Sequence, residues 1–182
     1  MLAGMKAILV LLLGAVVWWT APGCATRAPT AVSTSEAQYE FKRIVREYQL
    51  PAAEATNDVD RAALLDQAAN AFEALREKHP DASPWAAAAL RSAGNIHAEL
   101  GHRKEALAAY ARVGLLYPDD EWEAIQAMRS AGDILWIAGI RDQAILFYRE
   151  IIEKFDKPGK PPMFDTVVRI AKDRLSEAAP PP

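Results

Sequence analysis

Residues 90–118 read LRSAGNIHAELGHRKEALAAYARVGLLYP, and residues 128–156 read MRSAGDILWIAGIRDQAILFYREIIEKFD. The two stretches align without a gap at an offset of 38 residues. Self-similarity at a fixed period predicts one supersecondary unit that is used more than once. The tetrapeptide Arg-Ser-Ala-Gly recurs whole at 91–94 and 129–132, and single identities pair Gly101 with Gly139, Ala106 with Ala144 and Tyr110 with Tyr148.

Each unit is predicted to be two helices joined by a tight turn. Gly101 and Gly139 stand where the first helix must end, because glycine adopts the left-handed conformation that closes a helix. Gly94 and Gly132 lie inside the first helix, where glycine costs about 1 kcal/mol relative to alanine. Because this unfavourable residue occurs at the matching position of both units, it indicates that another helix approaches closely there. The shared alanine and tyrosine of the second helix lie on one face, four residues apart, so the small residue admits the neighbour and the ring fills the space beside it.

A third copy is visible in its second half only. Ala68, Phe72, Leu75 and Pro80 stand one repeat length before equivalent residues of the first full copy. Its first half is expected upstream, behind a longer connection that contains Pro51. The helices predicted from this pattern span residues 35–49, 58–78, 84–100, 103–116, 121–138, 141–155 and 163–177.

The repeated positions resemble a known family. Gly94, Ala106, Tyr110 and Pro118 match the glycine, alanine, aromatic and proline positions of the tetratricopeptide repeat, although the period exceeds the family's usual length of about 34 residues. The resemblance implies an all-α fold: a short right-handed TPR-like solenoid of about three helix pairs. The helix over 163–177 would cap its open end.

The N-terminal residues are typical of an export signal. Lys6 precedes a nearly uninterrupted apolar run from Ala7 to Trp19, which is shorter than the roughly 20 residues that a membrane-spanning helix needs. Small residues then precede Cys24, the single cysteine. This arrangement resembles a bacterial lipobox and implies cleavage before Cys24, with diacylglycerol on its sulfur. Two alternatives stay open: cleavage after Ala25 with ordinary secretion, and an uncleaved anchor, which the short run disfavours.

The resulting domain prediction has four parts. Residues 1–23 are the lipoprotein signal peptide, and residues 24–37 are a flexible tether, since they lack hydrophobic periodicity. Residues 38–178 are the helical repeat domain. Residues 179–182 are a disordered tail.

Composition and motifs argue against several function classes. The net charge of −3 gives no electrostatic footprint for nucleic acid. His97 and His102 flank Glu99, but five residues is a poor helical spacing for two metal ligands, so packing is the preferred role; the same holds for His79. No Cys/His cluster for zinc and no glycine-rich phosphate loop occur in the sequence. We therefore expect no enzyme and no metal or cofactor apart from the lipid on Cys24; an enzyme or metal-binding protein is the less favoured alternative.

Partner binding is the better expectation. In the family that the repeat resembles, the first helix of each pair lines a concave surface, and tryptophan and arginine dominate binding hot spots. The candidate partner-binding groove is formed by Arg91, Asn95, Gln126, Arg129, Asp133 and Trp136. The alternative is that the two arginines of this set pair with nearby acids while the tryptophan packs between repeats.

The combined expectation is a membrane-anchored lipoprotein that serves as a protein-interaction scaffold in a bacterial envelope complex. The repeat and the lipobox together resemble outer-membrane assembly lipoproteins and periplasmic Tol-Pal coordinators, which implies an outer-membrane anchor facing the periplasm. The expected partners are a protein or peptide and the membrane, and no pattern fixes the oligomeric state. A soluble periplasmic or secreted repeat protein is the alternative.

Overall fold

The computed structural model describes residues 31–178. Within that range the chain forms eight α-helices and no strand, so the predicted all-α class is confirmed. A π-helical turn over Val45–Gln49 follows the first helix, and a 3-10 turn over Pro162–Phe164 precedes the last. The helices are α1 (Ala31–Ile44), α2 (Leu50–Glu54), α3 (Asp58–Lys78), α4 (Trp85–Glu99), α5 (Arg103–Leu116), α6 (Glu121–Ile137), α7 (Arg141–Phe155) and α8 (Asp165–Ala178).

The first helix begins earlier than predicted. It starts at Ala31, so residues 31–37 of the expected tether are helical. Ala37 is fully buried, and Phe41 packs against Phe72 of α3 with ring centroids 4.9 Å apart. Tertiary packing therefore holds a segment whose Ser- and Thr-rich composition suggested a loop, since packing supplies most helical stability in proteins.

The other parts of the domain prediction lie outside the described residues. These are the signal peptide, residues 24–30 of the tether with Cys24, and the tail over 179–182. None of the helices between residues 31 and 178 combines the length and the apolar character that crossing a membrane requires.

Consecutive helices pack as antiparallel pairs. Links of three residues join α4 to α5 and α6 to α7, and so short a link forces antiparallel neighbours. Gly101 and Gly139 have φ values of +79° and +76°, which confirms the predicted helix ends. In both units the residue after the glycine donates its N–H to a carbonyl five residues back, a Schellman motif: His102 to His97 at 2.7 Å and Ile140 to Leu135 at 2.9 Å.

The tyrosine of each unit packs directly against the glycine of its partner helix. A Cβ added at Gly94 would lie 2.7 Å from Cε1 of Tyr110, and one added at Gly132 would lie 2.8 Å from Cε1 of Tyr148. Ala106 and its equivalent in α7 are fully buried. The predicted close approach is confirmed, because neither glycine position has room for a side chain.

Ion pairs connect neighbouring elements of the domain. Of four such pairs, one joins the second helices α3 and α5, and the others join α3 to α4, α3 to α1, and the loop after α7 to α6. Such exposed pairs report geometry more than stability. They join Arg61 to Glu99, Lys78 to Glu40 at 3.0 Å, Arg112 to Glu73 at 2.9 Å, and Lys160 to Glu121.

The last helix covers the final pair. α8 packs against α7 and α6 and buries Val167, Val168 and Ala171. Phe164, just before it, stacks on Phe155 at a centroid distance of 5.4 Å. The apolar face left by α7 is thereby withdrawn from water.

Candidate functional site

The predicted groove residues lie on the first helices of the two full units. Arg91 and Asn95 are one turn apart on α4, and Arg129 and Asp133 occupy the equivalent positions of α6. Gln126 lies one turn before Arg129 on the same face. The two units therefore present matched positions to one side of the molecule.

The tyrosine hydroxyls make equivalent hydrogen bonds to this face. Tyr110 donates to Oδ1 of Asn95 at 2.8 Å, and Tyr148 donates to Oδ1 of Asp133 at 2.9 Å. Burial raises the pKa of both hydroxyls, and the bond to the Asp133 carboxylate raises that of Tyr148 further. Both tyrosines therefore keep their protons at neutral pH and tie the second helix of each unit to the first.

Arg91 is bound to a buried acid. Its Nε donates to Oε2 of Glu123 at 2.5 Å, and the Glu123 residue is only 6% exposed. A buried carboxylate needs such a partner, because removing one member of a buried pair leaves an uncompensated charge. Of the two roles left open for Arg91, the structure shows pairing with an acid, and the pair joins α4 to α6.

Arg129 is less completely bound. Its Nη1 lies 3.8 Å from Oδ2 of Asp133, which is longer than a hydrogen bond, and its Nε is buried without a hydrogen-bond partner. About a third of the side chain is exposed. Its positive charge, like that of Arg91, opposes the effect of burial on the pKa of Tyr110, so the charges of both units converge near one hydroxyl.

Trp136 is not part of the open surface, which corrects its place among the groove residues. It is 8% exposed and meets Tyr148 edge-on at a centroid distance of 6.0 Å. The Cζ atoms of Arg141 and Arg174 lie 4.2 Å and 5.4 Å from its ring centroid. Burial of the indole and its attraction for two guanidinium groups hold the Trp136 side chain against α7 and α8. This agrees with the alternative that the tryptophan has a packing role.

The histidines make contacts within the fold. The rings of His97 and His102 lie 6.0 Å apart, and no group of three or more His, Cys, Asp or Glu residues in the described part of the chain is arranged to hold a metal ion. His79 is buried, with Nε2 3.2 Å from Oε2 of Glu40. These contacts give His79 a packing role that also fixes α1 to the end of α3.

The polar face that results consists of Asn95, Gln126, Arg129 and Asp133, with Arg91 at its edge. Its amide, carboxylate and guanidinium groups offer both donors and acceptors, the chemistry that backbone amides of another chain can satisfy. Comparison of the chain with protein-family models, with curated proteins and with solved structures finds no match.

Proposed function

We propose that the protein is a lipid-anchored scaffold of the bacterial cell envelope that holds another polypeptide on the polar face of α4 and α6. In this proposal the helix pairs form a TPR-like, right-handed solenoid of three pairs, and α8 caps it. The observation that carries the proposal is the recurrence of one polar arrangement on both units. An acceptor on the first helix, Asn95 or Asp133, receives a tyrosine hydroxyl from the second, beside a partly free Arg129.

The chemistry of this face suits an extended peptide. Arg129 has donors that Asp133 does not saturate, and Gln126 and Asn95 each offer an amide. Since Trp136 is buried, the face has no large aromatic anchor, and such anchors dominate tight interfaces. The proposed complex is therefore a reversible one that depends on hydrogen bonds.

The proposed anchor would keep the domain near the membrane. Cys24 and Ala31 are seven residues apart in the chain, a span of at most about 25 Å when fully extended. Two or more acyl chains give stable anchoring, whereas one is marginal. A lipid on Cys24 would thus place α1 beside the bilayer.

Metabolic labelling tests the anchor. Cells that express the full chain are fed an alkyne analogue of palmitate, and wild type should take up label while Cys24→Ala should not. Label on both proteins, or on neither, would contradict lipidation at this cysteine. An unlabelled protein recovered in the soluble envelope fraction would favour the secreted alternative.

Photo-crosslinking tests the polar face. A benzophenone side chain at Gln126 should yield an adduct with an envelope protein, and Arg129→Gln should abolish it. A benzophenone at Arg149, exposed on α7, is the matched control. Arg91 is left intact because Glu123 depends on it. Equal adducts at the two probe positions, or an adduct indifferent to Arg129→Gln, would show that this face is not the binding surface.

A further inference from the structure

The second helices of neighbouring units adjoin along two seams, α3 with α5 and α5 with α7, and the seams differ in their charged residues. Between α3 and α5, Nη1 of Arg112 contacts both carboxylate oxygens of Glu73, at 2.9 Å and 3.1 Å. One repeat later, Glu150 stands where Arg112 does and Ala111 stands where Glu73 does. The ion pair that bridges the first seam therefore has no counterpart between α5 and α7.

The last turn of α5 also lacks the charged residues that end α3. Arg76, Glu77 and Lys78 of α3 correspond to Gly114, Leu115 and Leu116 of α5. A Cβ at Gly114 would meet nothing within 4 Å, and Leu115 is 77% exposed. A lone exposed leucine is ordinary, but Leu115 replaces a charged residue and lines the groove between α5 and α7.

A groove of about 740 Å³ occupies this seam. Its apolar lining comes from three helices: Ala111, Gly114 and Leu115 of α5, Ala124 and Met128 of α6, and Phe147 of α7.

The rim of this α5–α7 groove carries one positive charge in excess. Three lysines, Lys154, Lys157 and Lys160, stand against Glu121 and Glu150. Lys160 pairs with Glu121, and Lys154 pairs with Glu150 at 2.6 Å. The charge of Lys157 is left in excess, so the rim complements a negatively charged ligand.

We infer that the α5–α7 groove binds an amphipathic helix of a partner protein, with its apolar face inward and acidic side chains beside the lysines. Recognition of this kind lays a helix along a groove between helices, and Gly114 leaves room for a close approach. On α6 the groove uses residues 121, 124 and 128, whereas the polar face uses 126, 129 and 133. The two sets lie about 140° apart around a helix, so the groove is a second surface, independent of the polar face.

Three synthetic helical peptides provide the probes. They share one leucine- and phenylalanine-bearing face and carry glutamate, glutamine or lysine on the flanks. Fluorescence anisotropy with the full chain should show the glutamate peptide binding about tenfold more tightly than the lysine peptide, and added salt should narrow the gap. Equal affinity for all three, or binding of none, would overturn the proposal.

Variants locate the binding on the protein. Gly114→Gln fills the groove with a long uncharged side chain, and Leu115→Glu adds a negative charge; each should weaken binding of the glutamate peptide about tenfold. Ile137→Glu, 84% exposed at the end of α6, is the control and should have no effect. Arg129→Gln should also leave this affinity unchanged, which keeps the result separate from that for the polar face. Unaltered affinity in Gly114→Gln would refute the site.

Discussion

One added methyl group at Gly94 should destabilise the protein, although alanine is the better helix former. The new Cβ would lie 2.7 Å from Cε1 and 2.9 Å from Cδ1 of Tyr110, and 3.2 Å from Cβ of Ala109. Contacts this short do not persist, so the ring must move. Tyr110 is 4% exposed and its hydroxyl is bound to Asn95, so a displaced ring strains the core or loses that bond.

The opposing contributions can be compared directly. Overpacking a core costs about 1–3 kcal/mol, and a lost neutral hydrogen bond adds about 0.5–1.5 kcal/mol. Replacing glycine by alanine inside a helix stabilises the folded state by about 1 kcal/mol, which opposes these losses. We expect Gly94→Ala to lower the free energy of unfolding by about 0.5–3.5 kcal/mol. Each kcal/mol lowers the Tm by about 2–4 °C in a domain of this size.

Gly114 supplies the matched control, because it is helical but a Cβ there would meet nothing within 4 Å. Gly114→Ala should raise the free energy of unfolding, by up to about 1 kcal/mol. Urea denaturation followed by circular dichroism at 222 nm measures both variants. Combining Gly94→Ala with Tyr110→Leu should cost less than the sum of the single changes, since a smaller side chain admits the methyl group. If Gly94→Ala stabilised the protein as Gly114→Ala does, the close approach of ring and backbone would be refuted.

Three further changes have expected outcomes. Tyr148→Phe should lower the free energy of unfolding, measured by urea denaturation, more than Tyr110→Phe does, because the hydroxyl of Tyr148 donates to the Asp133 carboxylate. Hydrogen bonds to charged groups contribute about 1.5–3 kcal/mol, against about 0.5–1.5 kcal/mol for neutral ones. Equal losses would contradict this. Trp136→Ala should lower the free energy of unfolding by about 3–5 kcal/mol, because the indole is buried. A loss below about 1 kcal/mol would contradict that burial. Burial by itself would raise the pKa of Glu40, but hydrogen bonds and charges from the neighbouring lysine and histidine outweigh it and hold that pKa below its usual 4.5. A lowered folded-state pKa means that this stabilisation is present above 4.5 and is lost as the pH falls through the folded-state value. Glu40→Gln should therefore flatten the decline of stability below pH 4.5, and an unchanged acid limb in a pH series of urea titrations would exclude the effect.

Helix ends are predictable where a capping residue, a glycine or a proline marks them. Residues 58–78, 103–116 and 141–155 form helices with the bounds expected from the sequence. The start of α1 is not predictable in this way, because its first turns carry no local signal of their own. They are held by contacts that Ala37 and Phe41 make with the rest of the domain, and a single sequence does not show which distant residues will provide such contacts.

The buried acid is the main omission at the candidate site. Glu123, Ala127 and Ala131 follow one another at four-residue intervals, so they share the buried face of α6. This four-residue spacing could have identified Glu123 as a buried residue that needs a positively charged partner. Its partner Arg91 comes from another helix, and the choice among several surface arginines depends on how the two units stack. The packing of Trp136 depends in the same way on α8.

Identity of the glycines and tyrosines in the two units is explained by packing. The glycines, alanines and tyrosines repeat because any Cβ added at the glycine would lie less than 3 Å from the tyrosine ring. The acceptor of the tyrosine hydroxyl is free to differ, since an amide at Asn95 and a carboxylate at Asp133 both satisfy the bond. Folding therefore fixes an oxygen at that position but not its charge. The same holds for the α3–α5 seam, which the Arg112–Glu73 pair bridges, and the α5–α7 groove, which has no such pair. At such positions stability leaves the residue free to vary, so the two units can present different surfaces on the same packed framework.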